Sequence, residues 1–142
     1  MYRSELIDVL PWSHPFHMLD RMVECVPHRR VVTLKRVSVG DSIFNGASSP
    51  VTHFPSVLVF EGLGQTAALL FRLSYGAGSI DRMPMLGHLQ ATIHGAARPG
   101  DTIEYTVTAV KMTSSGGIFT GIARADGRTL VESELGFGLG SE

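Results

Sequence analysis

The stretch Asn45–Gln65, NGASSPVTHFPSVLVFEGLGQ, places a polar loop with one histidine directly before an apolar run that contains one glutamate, Glu61. Pro55 cannot continue a preceding helix and Ser56 is a favoured N-cap residue, so a helix is predicted to start here. Apolar residues then occupy nearly every side of a helix over Ser56–Tyr75, which is typical of a buried helix. The glycines that follow predict its end.

Two glycines interrupt this apolar run, at Gly62 and Gly64. Glycine lowers helix propensity, and it is favoured where another stretch of chain must come close. We therefore expect another segment of backbone to approach the helix at these positions.

On both sides of the helix the chain has the period-two pattern of β-strands. Before it, Met18–Val26 and Val31–Val39 flank a PHRR turn and predict a hairpin. After it, strands joined by the turn sequences RPGD, TSSGG and ADG predict an antiparallel meander. These strands are Met85–His94, Thr102–Met112, Gly117–Ala125 and Thr129–Phe137. With a short helix at residues 4–10, the prediction is a single α+β domain over 1–142, its long helix wrapped by about six antiparallel strands.

Composition excludes several classes of function. The formal net charge is -1, which gives no electrostatic reason to expect nucleic acid or an anionic membrane as a partner. One cysteine excludes an internal disulfide, and the six histidines lack metal-site spacing, so we expect no metal and no cofactor. The N-terminus lacks the apolar core of a signal peptide, and no apolar run reaches the ~20 residues that span a bilayer, so a cytoplasmic protein is expected.

Glu61 is the feature that composition does not explain, because an unpaired carboxylate is costly to bury. Either Glu61 points to a solvated side of the helix or a subunit boundary, or it lines a cleft with Gln65 one turn later. The N–H groups of Ser56 and Val57 at the helix start form a positive pole that could polarise a carbonyl oxygen.

Three stretches of the chain resemble the 3-hydroxyacyl-acyl-carrier-protein dehydratases, which have the hotdog fold. The first is LPWSHPFHMLDRMVE at 10–24, which resembles the opening pattern of that family. The second, FNGASSPVTHFPSVLVFEGLGQTAALL at 44–70, resembles its active-site loop and central helix. The third, RPGDTIEYTV at 98–107, resembles the turn into its late strands. Together they span most of the chain in the family's order.

The resemblance implies a long helix wrapped by a sheet, in a dimer whose active sites lie at the subunit interface. A loop histidine of one subunit handles the proton alpha to the thioester, and the helix carboxylate of the other, here Glu61, handles the departing hydroxyl. Such chemistry needs two proton-transfer groups and a polarised carbonyl. The acyl chain then needs an apolar tunnel, for which Val57, Leu58, Phe60 and Leu63 are candidates.

The loop departs from the family pattern. The family histidine precedes the helix carboxylate by 14 positions, which in this chain is Ala47, whereas Gly46 matches the family's glycine. His53 lies only eight residues before Glu61; it is either a substitute base in a remodelled loop or a packing histidine at the helix entrance. The predicted catalytic residues are Glu61 and His53, and the predicted substrate-binding residues are Gly46, Ala47, Ser56, Val57, Phe60 and Gln65.

The expected function is dehydration of 3-hydroxyacyl thioesters, on acyl carrier protein or coenzyme A, in fatty acid or polyketide-type biosynthesis, by a homodimer or higher homo-oligomer. Two alternatives stay open. A catalytically impaired subunit could bind acyl thioesters or form a heterodimer with an active homologue. An acyl thioesterase would need only Glu61 and the helix start at Ser56.

Overall fold

The computed structural model describes residues 18–38, 53–76 and 84–139. In these ranges the chain forms six strands and one helix, which confirms the predicted α+β architecture. The predicted short helix at residues 4–10 lies outside them. The elements are β1 (Arg21–Val26), β2 (Arg30–Arg36), α1 (Ser56–Tyr75), β3 (Pro84–Ile93), β4 (Thr102–Thr113), β5 (Gly116–Ala125) and β6 (Arg128–Leu139).

All six strands belong to one antiparallel sheet in the order β1-β2-β4-β5-β6-β3. The early hairpin is confirmed by the pairing of β1 with β2. The predicted meander holds for β4, β5 and β6 but is wrong for β3, which pairs with β6 at the far edge. The reason is that β2 already occupies the free side of β4, with Val31 opposite Val107.

The helix α1 packs on β2, β4 and β5 through a continuous apolar side. Ten of its residues are buried, among them Leu63, Leu70 and Phe71. The opposite side is open, because Val57 is 68% exposed and Glu61 is exposed as well. The expectation of a helix buried on every side is therefore wrong, since the sheet covers only one side of it.

By length and composition alone α1 could cross a membrane, although no such run was expected from the sequence. In the folded chain 56% of its most apolar window is buried inside the protein. The core helix of a compact domain has this property, so the apolar character of α1 is explained by its packing on the sheet.

Pro55 caps the start of α1, and Ser56 is its first helical residue rather than the predicted N-cap. No side-chain hydrogen bond caps this end. The entry is held instead by an isolated bridge in which the Phe54 N–H donates to the Ala97 carbonyl at 2.7 Å. That bridge attaches the first turn of the helix to the segment before the RPGD turn.

The RPGD turn leads into β4 as predicted. The Asp101 N–H donates to the Arg98 carbonyl at 3.0 Å, while the Arg98 N–H donates to Asp101 Oδ2 at 2.9 Å. Gly100 has a φ of +98°, which suits glycine. The turn thus fixes where β4 begins, and with it the strand that lies under the first half of α1.

Candidate active site

Glu61 lies in the second turn of α1, on its exposed side. Its Oε1 accepts a hydrogen bond of 3.2 Å from Nε2 of Gln65, one turn further along the helix. The prediction that these two side chains share one side of the helix is confirmed. A carboxylate that is both reachable and partly oriented is suited to proton transfer.

A second hydrogen bond, to its amide oxygen, fixes the Gln65 side chain. It is fully buried, and its Oε1 accepts a hydrogen bond of 2.7 Å from the Met18 N–H. Because a backbone N–H can only donate, the oxygen of the amide must face Met18, and the amide nitrogen then faces Glu61. The N-terminal side of the described chain therefore orients the glutamate through one buried amide.

The start of α1 has the polarity that a carbonyl oxygen requires. Leu58 and Val59 are the first residues whose N–H groups bond back, both to the carbonyl of Pro55 at 3.0 and 3.3 Å. The N–H groups of Ser56 and Val57 precede this first turn of bonding and carry the positive end of the helix dipole. Ser56 and Val57 thus lie at the helix end that this role requires. That their N–H groups polarise a substrate carbonyl stays a prediction.

His53 lies just outside the helix start and is exposed. Glu61 lies five positions after Ser56, a rise of about 7.5 Å along the helix axis, so His53 lies more than one turn from Glu61 within a protomer. Its role as a substitute base stays a prediction. Gly46 and Ala47, the other two loop positions, lie outside the described residues.

The predicted lining of the acyl tunnel separates into two groups. Val57 is exposed, and Leu58 and Phe60 are partly buried at the rim of the core. Leu63 is 1% exposed and faces the sheet at Gly121, where it belongs to the protein core, so its prediction as a lining residue is wrong. Its position two residues after Glu61 turns it to the opposite side of the helix.

Beneath Glu61 the helix and sheet enclose polar groups that the sequence did not reveal. Oγ1 of Thr66 donates to the Gly62 carbonyl at 2.7 Å and lies 2.8 Å from Oγ1 of Thr33 on β2. Tyr105 on β4 packs directly against Gly62. Burial, and to a smaller extent the Asp20 carboxylate, raises the pKa of Tyr105, so its hydroxyl stays protonated.

The expectation of a close backbone at the two helix glycines is wrong. The group next to Gly62 is the Tyr105 side chain, and the space around Gly64 is open to 4 Å. Period-two alternation in TIEYTV does place Tyr105 on the same face as Ile103 and Val107, so its burial could be foreseen. Its contact with Gly62 depends on the three-dimensional register of helix and sheet.

Comparison with known proteins now adds to this geometry. The model of the FabA-like domain matches residues 10–135. The chain belongs to the FabA-like domain family. Among curated relatives, a 3-hydroxyacyl-[acyl-carrier-protein] dehydratase FabZ from Anaeromyxobacter sp. (strain K) is 35% identical over 141 residues, covering 94% of this chain and 90% of that protein. A FabZ from Enterococcus faecalis (strain ATCC 700802 / V583) is 32% identical over 139 residues, covering 96% of both.

Solved structures show the same fold for this member of the FabA-like family. A chain of the dehydratase heterocomplex ApeI:P from Xenorhabdus doucetiae superposes with a TM-score of 0.80 at 18% identity, over 96% of this chain and 91% of that one. A hypothetical thioesterase with coenzyme A from Streptococcus pneumoniae TIGR4 gives 0.63 at 10% identity, over 86% of both chains. The hotdog fold expected from the sequence is therefore confirmed.

Proposed function

We propose that this chain is a dehydratase that acts on 3-hydroxyacyl thioesters, on acyl carrier protein or coenzyme A, in fatty acid or polyketide-type biosynthesis. The observation that carries the proposal is Glu61, an exposed carboxylate on a mostly apolar helix, oriented by the buried amide of Gln65. Near full-length similarity to FabZ dehydratases supports the same reaction class. The reaction itself requires no cofactor, and the proposed location is the cytoplasm.

In the proposed reaction Glu61, in its acid form, gives a proton to the 3-hydroxyl, which leaves as water. A base removes the proton alpha to the thioester, and the electron pair of that C–H bond forms the new double bond. The Gln65 amide donates to Oε1 of Glu61 and orients its carboxyl group. In the reverse, hydration direction the Glu61 carboxylate takes the proton from the attacking water. His53 is the proposed base.

The thioester carbonyl is proposed to bind at the helix start. Negative charge develops on this oxygen as the alpha proton leaves, and the N–H groups of Ser56 and Val57 are the donors at the positive end of α1. Val57 and Phe60, in the first turns of α1, are proposed to line the path of the acyl chain along the helix toward Glu61. These roles follow from position, since a fixed donor pair acts best where charge appears.

We also propose that the active unit is a dimer formed through β3. All residues from Met85 to Ile93 are exposed, and none of them is Asp, Glu, Lys or Arg. Leu89 and Ile93 pair with Leu135 and Val131, which are buried on the helix side of the sheet, so they extend the core face without a cover. A second copy across this edge would cover them and remove an open strand edge.

A mixed dimer is the second candidate, and the loop favours it. Ala47 stands where the family resemblance places a histidine, so a homodimer of this chain would have neither of its two sites completed in the usual way. A homologous partner that carries the histidine could supply it, while this chain supplies Glu61. Expression together with such a homologue, followed by assay of each protein alone and of the pair, tests this candidate.

The test of the main proposal is mass spectrometry of a 3-hydroxyacyl carrier-protein thioester incubated with purified protein, with the enoyl thioester run in the hydration direction. Loss or gain of one water, abolished in Glu61→Gln, is the expected result. A released free acid would instead indicate a thioesterase. No change with either thioester, alone or with a histidine-bearing homologue, would overturn the proposed reaction.

A further inference from the structure

Gly62, the residue after Glu61, has no space for a side chain. A β-carbon built there would overlap the side chain of Tyr105, and the three atoms nearest to it all belong to that residue, namely Cζ, the hydroxyl oxygen and Cε2. A real β-carbon cannot come this close without a movement of its neighbours. The helix turn that carries Glu61 therefore rests directly on the end of the Tyr105 side chain.

Tyr105 cannot easily move away from this contact. It is fully buried on β4, which has β2 on one side and β5 on the other, with Thr33 and Ala123 as its cross-strand neighbours. On the helix, Oγ1 of Thr66 donates a hydrogen bond to the Gly62 carbonyl, so the turn keeps its helical geometry where it contacts the Tyr105 ring. The distance between helix and sheet at this point is set by the length of one side chain.

The part of Tyr105 that reaches Gly62 is the end of its ring, Cζ, together with its hydroxyl. Among the described residues this hydroxyl has no hydrogen-bond partner, and a buried hydroxyl without one lowers stability. Phenylalanine would fill the same ring volume without this cost, so burial alone does not explain a tyrosine here. The extra atom does lengthen the side chain at the place where it contacts Gly62.

We propose that Tyr105 is a positioning residue for Glu61. Its ring and hydroxyl set the height of the Gly62 turn above the sheet, and this height places the Glu61 carboxylate relative to the substrate. The inference rests on the proposed dehydratase function, and it adds a residue on the sheet to a site otherwise built from the helix and its loop.

The test is a set of four proteins: wild type, Gly62→Ala, Tyr105→Leu and the double variant. A methyl group at position 62 should lift the turn, and a shorter side chain at 105 should let it sink, so each single change should lower kcat by about tenfold with little change in KM. The double variant exchanges bulk across the contact and should recover kcat to within about threefold of wild type. Losses that simply add in the double variant would overturn the inference.

Tyr105→Phe is a milder variant that keeps the ring and should fold. We expect its midpoint of thermal unfolding to stay the same or rise, while kcat falls about threefold or more, since small displacements of a catalytic group are costly. Val107→Ala, a buried change two residues along the same strand, is the matched control and should lower stability without lowering kcat. Equal kcat for Tyr105→Phe and wild type would count against the hydroxyl as a spacer.

A readout without turnover separates this inference from the proposed function. In carbon-13 NMR the carboxyl resonance of Glu61 should shift in each single variant, because its surroundings change, and return in the double variant. If wild type is inert on thioesters while this pattern appears, the proposed reaction fails and the positioning contact stands. If wild type is active and the Glu61 resonance is the same in all four proteins, the positioning contact is wrong.

Discussion

The two sides of α1 have opposite properties although they meet at adjacent residues. Glu61 and Val57 are exposed and face outward. Gly62 and Thr66 face the sheet. At Gly62 there is no space for a β-carbon, and the Thr66 hydroxyl donates to the Gly62 carbonyl. The chemical step should therefore depend on the outward carboxylate and stability on the sheet-facing residues. Gly62, through its contact with Tyr105, and Gln65, through its amide, connect the two sides.

The largest expected effect is on the outward side. Glu61→Gln removes the ionisable group while its size and its contact with Gln65 can be retained, so turnover should fall by about 10²- to 10⁴-fold. The midpoint of thermal unfolding should not change, because the carboxylate is exposed. Steady-state hydration of an enoyl thioester and a thermal melt on the same sample measure both. A large loss of stability would break the proposed separation between the two sides.

The core face of the sheet continues at its edge onto β3, where Leu89 is 42% exposed beside the buried Leu135. Leu89→Asp should weaken a β3-mediated dimer by about 100-fold or more, because a twofold axis introduces the buried charge twice. Analytical ultracentrifugation measures the dissociation constant. Val23→Asp is the control, since Val23 is an apolar residue, 51% exposed, on the opposite edge strand β1. Dissociation by Val23→Asp instead would move the interface to the other edge.

Gln65 joins the two sides, so its replacement should change both properties. Gln65→Leu leaves the Met18 N–H without its acceptor in a buried place, which should cost about 1–3 kcal/mol in the free energy of unfolding. It also removes the amide that orients Glu61, and turnover should fall by about tenfold. Urea unfolding and enoyl hydration test the two parts. An effect on only one of them would show that the amide serves one side alone.

The smallest effect is expected on the sheet-facing side. Thr33→Val replaces one buried hydroxyl by a methyl group of similar size, while Oγ1 of Thr66 keeps its hydrogen bond to the Gly62 carbonyl. The free energy of unfolding should fall by about 1 kcal/mol. Turnover should be retained, since Thr33 contacts neither Glu61 nor Gln65 through these bonds. A loss of turnover larger than the loss of stability would mean that β2 also controls the site.

Local sequence patterns account for much of this fold. The Pro55 and Ser56 step predicted the helix start to within one residue, and turn residues such as those of RPGD predicted the strand ends. The pairing of Glu61 with Gln65 also followed from helical spacing. These features depend on neighbours within a few positions, which a sequence displays directly.

Features that depend on distant segments were missed. The place of β3 beside β6 is decided by which strand fills each edge of the sheet, and tight turns between later strands suggested otherwise. The contact of Tyr105 with Gly62 likewise needs the register between helix and sheet. In both cases the deciding partner is far away in the sequence, so no local pattern contains it.

The pairing of β2 with β4 has a consequence for how the chain folds. The β1–β2 hairpin and the β4–β6 meander are each closed by short turns and can form locally, whereas β2 and β4 flank the whole of α1 and β3 in the sequence. Pairing β2 with β4 costs loop-closure entropy before the contacts between them form, and non-local pairings of this kind slow folding. The docking of α1 on the sheet and the pairing of β2 with β4 should therefore share one late, rate-limiting step, in which Gly62 first contacts Tyr105.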